Sequence, residues 1–326
     1  MTDTHKLLEG LSNELRLRAL QPHTEVPNPQ EKGVIYHYTT AAGLQGILNS
    51  GSLWATNLWC LSDAKEVQYP HDFCLQYLLD KSRNCCTAML PLVERAIKIL
   101  DVCLTQLFPY EYQFSVSFSL DGDLESQWRE YANDGFGYAI GFESMALLSK
   151  FSADCCDPNS CDNPNFIFFR MLYKPEKQRA VLDSQFEAVE EQWPILKHSP
   201  SPNKYDMLHN VACSLIVHMA RASTCFKNPQ FKSEREIRAL YANTLELKTA
   251  GAKLDVGFHN RNGQLVTFRE LKAGLGALDL MPIAGIGLGP SLDPVRARIP
   301  LIQILETKGY TGDNLPEIFA SCHNWR

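Results

Sequence analysis

The sequence predicts a mixed fold of the α+β class. Short segments with the residue pattern of β-strands occur along the whole chain, from residues 34–39 near one end to residues 317–321 near the other. Longer segments with helical spacing lie between them. Because strands and helices are interspersed along the whole length, one domain with inserted helices is favoured over two independent domains.

The composition is that of a globular protein. The chain has 326 residues, of which 45% are hydrophobic and 21% are charged, and this length is sufficient for a large core. We expect residues 1–30 to form a helix and a linker. We expect residues 31–326 to form the domain, with helical insertions near 62–108 and 175–226.

The first elements of the domain form a strand, a helix and a second strand. The segment "VIYHYT" at 34–39 is rich in aromatic and β-branched residues. In the following "TTAAGLQGILNSG", apolar residues recur at helical spacing. His37 shares its strand face with Ile35 and Thr39, while Tyr38 belongs to the other face. Taken alone, a histidine in this position is more typical of the core than of a binding site.

Apolar residues at helical spacing mark the two insertions. The first insertion has one such face, made of Leu90, Val93, Ile97, Leu100 and Leu104. The second is expected to contain helices over about 176–193 and 204–225, and the face of the latter carries Val211, Leu215 and Met219.

A strand with a small polar face is predicted at "EYQFSVSFSL". Its apolar residues alternate with Ser115, Ser117 and Ser119, which indicates a half-buried strand whose polar face suits a cleft. The next segments predict a short amphipathic helix at "LESQWREYANDG", which carries Trp128 and Tyr131, and a strand at "FGYAIGFE".

The last part of the chain predicts a hairpin around "NRNG", a strand at "MPIAGIGLGP", a helix over about 293–308 and a final strand at "EIFAS". The glycines of "GIGLGP" do not match the dinucleotide-binding pattern and precede Pro290. We interpret them as a turn that leaves a buried strand.

Charge and cysteine content restrict the class of protein. The net charge of −6 and the pI near 5.9 argue against a broad basic surface for nucleic acid. No segment has the pattern of a signal peptide or a membrane span. Eleven cysteines without a CxxC pair are typical of reduced thiols, so we expect a cytoplasmic protein with no membrane association.

A cluster of three cysteines, Cys155, Cys156 and Cys161, occurs in "CCDPNSCDNP". Its spacing fits no standard zinc motif, and turn-forming residues surround it. We favour a loop that carries thiols over a zinc site, and we expect no bound metal.

Two carboxylates lie close together in "NPQFKSEREIRALYA". If this segment is a strand, alternation places Glu234, Glu236 and Arg238 on one face. Lys232 and Arg238 are positioned to reduce the repulsion between the two carboxylates. Taken alone, the pattern favours a solvated sheet face with ion pairs over a catalytic pair.

Several separate segments resemble one family. They are "YHYTTAAGLQGILNSGSLWATN", "LSDAKEVQY", "SVSFSLDGDLESQWREYANDGFGYAIGFE", "FKSEREIRALY", "IGLGP" and the ending "SCHNWR". Together, and in this order, they resemble the DUF2971 family of bacterial proteins. That family is grouped with the ADP-ribosyltransferase-like fold, so the resemblance implies a split β-sandwich with an NAD-binding cleft.

The resemblance also implies residue roles. His37 matches the histidine that holds the adenosine-side ribose of NAD, and Tyr38 and Thr39 flank it. The nicotinamide end is expected near Ser117, Ser119, Trp128 and Tyr131, and the middle signature of the superfamily corresponds to Ser117, Ser119 or Tyr131. Arg238 is also expected to bind NAD. Glu236 matches the catalytic glutamate, and Glu234 completes an E-x-E pattern typical of transferases that modify side chains.

The implied reaction is transfer of ADP-ribose from NAD to a macromolecule, either protein or nucleic acid. Glu236 would stabilise the oxocarbenium-like transition state, and Glu234 would activate the acceptor. Such a protein is expected to act as a toxin or a phage-defence effector, with a neutralising partner. Two alternatives stay open, namely an NAD glycohydrolase and a non-catalytic module that senses or binds a nucleotide.

Overall fold

The structure, a computed structural model, describes residues 3–20, 33–61, 65–105, 113–155, 166–201, 205–242, 256–274, 279–323 and 325. The helices are α1 (Asp3–Leu20), α2 (Ala41–Ser50), α3 (Lys65–Asn84), α4 (Leu90–Thr105), α5 (Glu125–Tyr131), α6 (Ser144–Cys155), α7 (Pro175–Leu196), α8 (Met207–Ser223) and α9 (Pro294–Thr307). The strands are β1 (Val34–Thr39), β2 (Ser52–Asn57), β3 (Gln113–Ser119), β4 (Tyr138–Glu143), β5 (Phe166–Arg170), β6 (Glu236–Ala242), β7 (Gly257–Arg261), β8 (Gln264–Lys272), β9 (Ile283–Leu288) and β10 (Glu317–Ala320).

The chain divides into two compact units. The first, here called the helical unit, comprises Met1–Glu25, Leu58–Tyr112 and Met171–Phe231. The second, here called the sheet unit, comprises Val26–Asn57, Gln113–Arg170 and Lys232–Arg326. The helices of the two predicted insertions belong to the first unit, and all strands belong to the second.

In the helical unit, α8 packs against α1, α3, α4 and α7. The apolar face predicted for α8 is confirmed, because Val211, Leu215 and Met219 are buried. The face predicted for α4 is confirmed at Val93 and Leu100, which are buried. Leu90 and Ile97 are partly exposed, and the side chain of Leu104 lies outside the described residues.

The helical unit also buries polar groups. The Lys227 ammonium contacts the Glu66 carboxylate at 3.1 Å, and both side chains are largely buried. His218 Nε2 lies 3.1 Å from Ser12 Oγ, a contact that joins α8 to α1. Burial lowers the pKa of His218 to about 4, and the charges of Arg221 and Arg16 contribute to this shift.

The strands of the sheet unit form one ten-stranded mixed sheet in the described part of the chain. The order is β10-β9-β4-β1-β3-β2-β8-β7, with β6 paired to β3 and β5 paired to β6. The described pairs are antiparallel except for β9 and β10. The predicted α+β class is therefore confirmed at the level of a mixed sheet with helices.

One face of the sheet carries the main core. Ile35, Phe118, Phe142 and Ile237 belong to it, and burying each such side chain contributes about 1.5–3 kcal/mol. Helices α2, α6 and α9 cover this face with Leu44, Ile47, Leu48, Leu147, Phe151, Ala297, Leu301 and Leu305. The opposite face, near β1 and β4, carries a smaller aromatic cluster of Tyr38, Trp128, Ala132 and Ala139.

The predicted hairpin and the predicted turn after β9 are confirmed. Asn262 and Gly263 join β7 to β8 with φ values of 53° and 83°, as an Asn-Gly hairpin turn requires. Gly289 follows β9, and its N–H donates to the Gly137 carbonyl at 3.0 Å. A Cβ atom at Gly289 would lie 2.2 Å from the Gly135 carbonyl oxygen, so the close approach of the two backbones requires glycine.

Three sequence expectations need correction or fall outside the described residues. Helix α6 was not predicted, although Leu147 and Phe151 are one turn apart and pack in the core. The polar face of β3 is not half-exposed, because Ser115 and Ser119 are only 3% and 1% exposed. The loop with Cys156 and Cys161 lies outside the described residues.

None of the helices in the described ranges combines the length and the apolar character that a membrane crossing requires.

Candidate functional site

The edge of β3 that faces β1 and β2 is divided between these two strands. Strand β1 pairs with it at Ser119, and β2 pairs with it at Ser115 and Phe114. Between these positions no strand pairs with this edge among the described residues. The other edge of β3 pairs with β6 along its whole length. We call the unpaired stretch at Val116–Phe118 the β3 gap.

The ring of His37 lies at the β3 gap. Its Nδ1 atom is 3.0 Å from the Ser117 carbonyl oxygen, and its ring contacts that of Phe118 at a centroid distance of 5.9 Å. Because a carbonyl oxygen only accepts, Nδ1 carries the proton and Nε2 is the acceptor atom of the neutral ring. His37 is partly exposed.

Electrostatics keep His37 neutral. The part of the ring that is removed from water is costly to charge, and this desolvation lowers the pKa of His37 below the usual value. The hydrogen bond to Ser117 opposes the shift without cancelling it. A neutral imidazole with a bound Nδ1–H offers a ligand one hydrogen-bond acceptor, at Nε2.

Glu236 and Arg238 form a buried ion pair at the start of β6. They are only 4% and 3% exposed. Arg238 donates from Nε and from a terminal nitrogen to the same carboxylate oxygen of Glu236, at 2.9 and 2.8 Å. The solvated sheet face expected from the sequence is therefore wrong, although the expected pairing of Arg238 with a carboxylate is confirmed.

Glu234 does not lie in the strand. It ends a short 3-10 turn, Pro229–Glu234, and Arg235 follows with a φ of 50°. This left-handed residue breaks the alternation, so the prediction that Glu234 and Glu236 share a strand face is wrong. Ser119 holds the turn in place, because its hydroxyl donates to the Glu234 carbonyl oxygen at 2.9 Å.

Strand register separates His37 from Glu236. Glu236 pairs with Ser119, and Ser119 pairs with Tyr36, so these three side chains share one face of the sheet. His37, next to Tyr36, belongs to the other face, together with Ile35 and the main core. Two strand spacings put the backbones of Glu236 and β1 about 10 Å apart.

The remaining predicted residues have well-defined positions. Tyr38 and Trp128 pack edge to face at 4.8 Å, and both are buried. The Tyr38 hydroxyl donates to the Asp121 carbonyl and accepts from the Leu124 N–H, and burial raises its pKa. Tyr131 is partly buried against the same cluster.

Ser117 and Thr39 are the remaining two. Ser117 is exposed and pairs with Arg238 across β3 and β6. Thr39, at the end of β1, is partly exposed. The structure therefore brings Ser117, Ser119, Glu236 and Arg238 together on one face, while Tyr38, Trp128 and Tyr131 form a separate aromatic cluster.

Sequence reasoning missed the role of Asp123. Its carboxylate accepts from Trp128 Nε1 at 2.7 Å, from Ser321 Oγ at 2.5 Å and from the Cys322 N–H at 2.8 Å. Burial alone would raise the pKa of Asp123, but hydrogen bonds from Cys322, Ser321 and Trp128 outweigh it and the pKa is lowered. The quoted segments "DGDLES" and "SCHNWR" contained these residues, but nothing in the sequence links them.

Two buried polar atoms on the Glu236 side of β3 were also missed. Gln113 Oε1 and Ser115 Oγ have no hydrogen-bond partner among the described residues. Buried polar atoms are normally paired. The face of β3 on the Glu236 side therefore has unused hydrogen-bonding capacity.

A family model described as a protein of unknown function (DUF2971) matches residues 127–239. The match supports the resemblance to that family. It includes Glu234, Glu236 and Arg238 and begins after His37. No curated protein and no solved structure matches the chain.

Proposed function

We propose that the protein is an ADP-ribosyltransferase that binds NAD at the β3 gap. The observation that carries the proposal is the position of His37, whose Nδ1 is held by Ser117 at 3.0 Å while Nε2 is the acceptor atom of the ring. A ribose hydroxyl is a suitable donor to that atom. An ADP-ribosyltransferase-like split of the sheet would account for the divided edge of β3.

Glu236 would act on the other end of NAD. Cleavage breaks the bond between the ribose C1′ atom and the nicotinamide nitrogen, whose electron pair leaves with the neutral nicotinamide. Positive charge develops at C1′, and a carboxylate held by Arg238 would stabilise it more strongly in the transition state than in the ground state. The acceptor nucleophile then bonds to C1′ and loses its proton, and Glu234 is the proposed proton acceptor.

The opposite orientation of His37 and Glu236 sets a geometric condition. A single NAD molecule can contact both residues only if it passes the unpaired edge of β3, with the adenosine ribose at His37 and the nicotinamide ribose on the Glu236 side. Ser117 lies between them, exposed, on the strand that borders the gap. NAD is long enough to span the two strand spacings of about 10 Å in total.

The remaining parts of the proposal follow from the resemblance. The acceptor would be a macromolecule, protein or nucleic acid, in the bacterial cytoplasm. Activity of this kind suits a toxin or a phage-defence effector, which needs a neutralising partner in its own cell.

One observation favours a second candidate, a nucleotide-sensing module without turnover. Glu236 and Arg238 are almost completely buried and hydrogen-bonded to each other, as in a structural ion pair. In this candidate the β3 gap binds a nucleotide through His37, and Glu236 holds the strand in place.

The test is incubation of the full-length protein with labelled NAD, with and without bacterial lysate, followed by measurement of nicotinamide release and label transfer. His37→Asn is the sharpest variant, because the Asn amide can replace the Nδ1–H donor to Ser117 but offers no acceptor at the Nε2 position. Loss of that one hydrogen bond should raise the NAD concentration for half-maximal activity by about 10-fold. Glu236→Gln should abolish nicotinamide release.

A matched control is needed because Glu236 is buried. Asp121→Asn changes an exposed carboxylate near the same strands and should leave transfer unchanged. Each variant is assayed at a temperature where circular dichroism shows it folded. Tight NAD binding without nicotinamide release in the wild type would refute the transferase and support the sensing module, whereas release without transfer to any lysate component would indicate a glycohydrolase.

A further inference from the structure

We infer that Asp123, Cys322 and His323 form a binding site for a divalent metal ion such as zinc. All three belong to the sheet unit. One carboxylate oxygen, the thiol sulfur and one ring nitrogen lie within 4.8 Å of one another. Zinc binds these three atom types at about 2.0–2.3 Å, so a contraction of about 1 Å would bring all three into one tetrahedral shell.

A hydrogen bond to a backbone carbonyl fixes the tautomer of His323. Its Nε2 atom lies 3.0 Å from the Asp123 carbonyl oxygen. Since that oxygen only accepts, Nε2 carries the proton and Nδ1 is left with its lone pair. A metal-bound histidine commonly donates its second ring N–H to a backbone carbonyl, which sets the tautomer and the ring orientation.

Hydrogen bonds also fix the orientation of the Asp123 carboxylate. Trp128 Nε1 and Ser321 Oγ both donate to Oδ1 of Asp123, at 2.7 and 2.5 Å. The Cys322 N–H donates to Oδ2 at 2.8 Å. Oδ2 therefore lies on the side of Cys322, and a metal ion bound there would take the place of the thiol proton.

The donor set selects the kind of ion. A thiolate excludes magnesium and calcium as preferred ions, and a set of one sulfur, one nitrogen and one oxygen ligand suits zinc. The thiolate and the carboxylate neutralise the two positive charges of the ion. Three protein ligands leave a fourth position for water. The ion would link the segment after β10 to the loop before α5.

The experiment is a titration of the full-length, chelator-treated protein with Co²⁺, followed by competition with Zn²⁺. Co²⁺ bound to a thiolate gives a charge-transfer band in the near ultraviolet. We expect one Co²⁺ per chain at this site and displacement by Zn²⁺. Cys322→Ser keeps a hydroxyl donor to Asp123 but removes the thiolate, and His323→Gln keeps an N–H donor to the Asp123 carbonyl but removes the ring ligand. Each should weaken binding by at least about 10- to 100-fold, the loss that removal of an outer-shell partner already causes.

Matched controls separate this site from the other thiols. Cys86→Ser changes an exposed cysteine of the helical unit and should leave the cobalt band unchanged. Replacing Cys155, Cys156 and Cys161 together by Ser should also leave it unchanged. A band that survives Cys322→Ser, or that disappears in the triple variant, would overturn the inference, as would absence of binding at micromolar Co²⁺. If near-ultraviolet circular dichroism shows that Cys322→Ser does not fold, the inference is tested by Co²⁺ binding to His323→Gln, which retains the thiol.

Discussion

Two buried titratable groups, the Glu236–Arg238 pair of the sheet unit and His218 of the helical unit, tolerate burial in different ways. In the sheet unit, Glu236 and Arg238 are 4% and 3% exposed and form an ion pair with two hydrogen bonds. In the helical unit, His218 is 5% exposed, and the charges that lower its pKa to about 4 are those of Arg221 and Arg16, after burial itself. Glu236 and Arg238 are buried as a charged pair, as Glu66 and Lys227 are in the helical unit, whereas His218 is buried in its neutral form.

This difference implies that the ion pair and His218 lose stability under different conditions. A buried ion pair is sensitive to the loss of one partner, because the other charge then remains away from water. A buried neutral histidine is insensitive to its neighbours at neutral pH and sensitive to acid, because protonation places a charge where burial and two arginines oppose it. Substitution of one partner should therefore destabilise the protein through the Glu236–Arg238 pair, whereas acid should destabilise it through His218.

The largest effect is expected for Glu236→Gln. Arg238 loses the carboxylate to which it donates two hydrogen bonds, and the free energy of unfolding should fall by about 3–5 kcal/mol. Urea denaturation followed by circular dichroism measures this.

The matched control replaces the whole pair. Glu236→Leu combined with Arg238→Met removes both charges of the pair and should recover most of the loss. If Glu236→Gln costs less than about 1 kcal/mol, the carboxylate is not a structural partner, and the comparison with His218 no longer holds.

The second effect is acid destabilisation through His218. Its folded pKa of about 4 lies below the unfolded value of about 6.5, so the unfolded chain binds more protons between these values and stability rises with pH. The contribution of His218 to the free energy of unfolding is complete above pH 6.5 and is lost as the pH falls towards 4. The 2.5-unit difference corresponds to about 3 kcal/mol.

His218→Gln is the variant that isolates the pH-dependent contribution of His218 to stability. Gln has no titrating group, and its amide can still interact with Ser12. The difference in unfolding free energy between wild type and variant, measured by urea denaturation from pH 7.5 to pH 4, should change by about 3 kcal/mol. A difference that is independent of pH would show that His218 is not the acid-sensitive group of the helical unit.

The parts of the fold predicted from sequence are those with local causes. The β7–β8 hairpin follows from the positive φ values that Asn262 and Gly263 allow, and α8 follows from its apolar spacing. Glu234 was misplaced because one left-handed residue, Arg235, ends the alternation, and a sequence pattern does not reveal a φ angle. The contacts of Asp123 with Ser321 and Cys322 span about two hundred residues, so only tertiary structure brings them together.

The same limit applies to the candidate site. Alternation correctly assigned His37 to the face of Ile35, and the resemblance pointed to Glu236. That the two side chains leave the sheet on opposite faces depends on the pairing of β1, β3 and β6, in particular on Tyr36 with Ser119 and Ser119 with Glu236. Register between strands far apart in the chain is not readable from one sequence.

The smallest effect is expected for an exposed ion pair in the same region. Arg235 contacts Asp121 at 3.1 Å, with side chains 55% and 36% exposed. Asp121→Asn removes this charge but keeps the Oδ1 acceptor for the Asp123 N–H. Unfolding free energy should fall by less than about 1 kcal/mol, and the loss should shrink further at high salt. Equal losses for Asp121→Asn and Glu236→Gln would mean that burial does not determine the strength of these pairs. A small, salt-sensitive loss beside a large, salt-insensitive one would show that burial makes the sheet pair vulnerable.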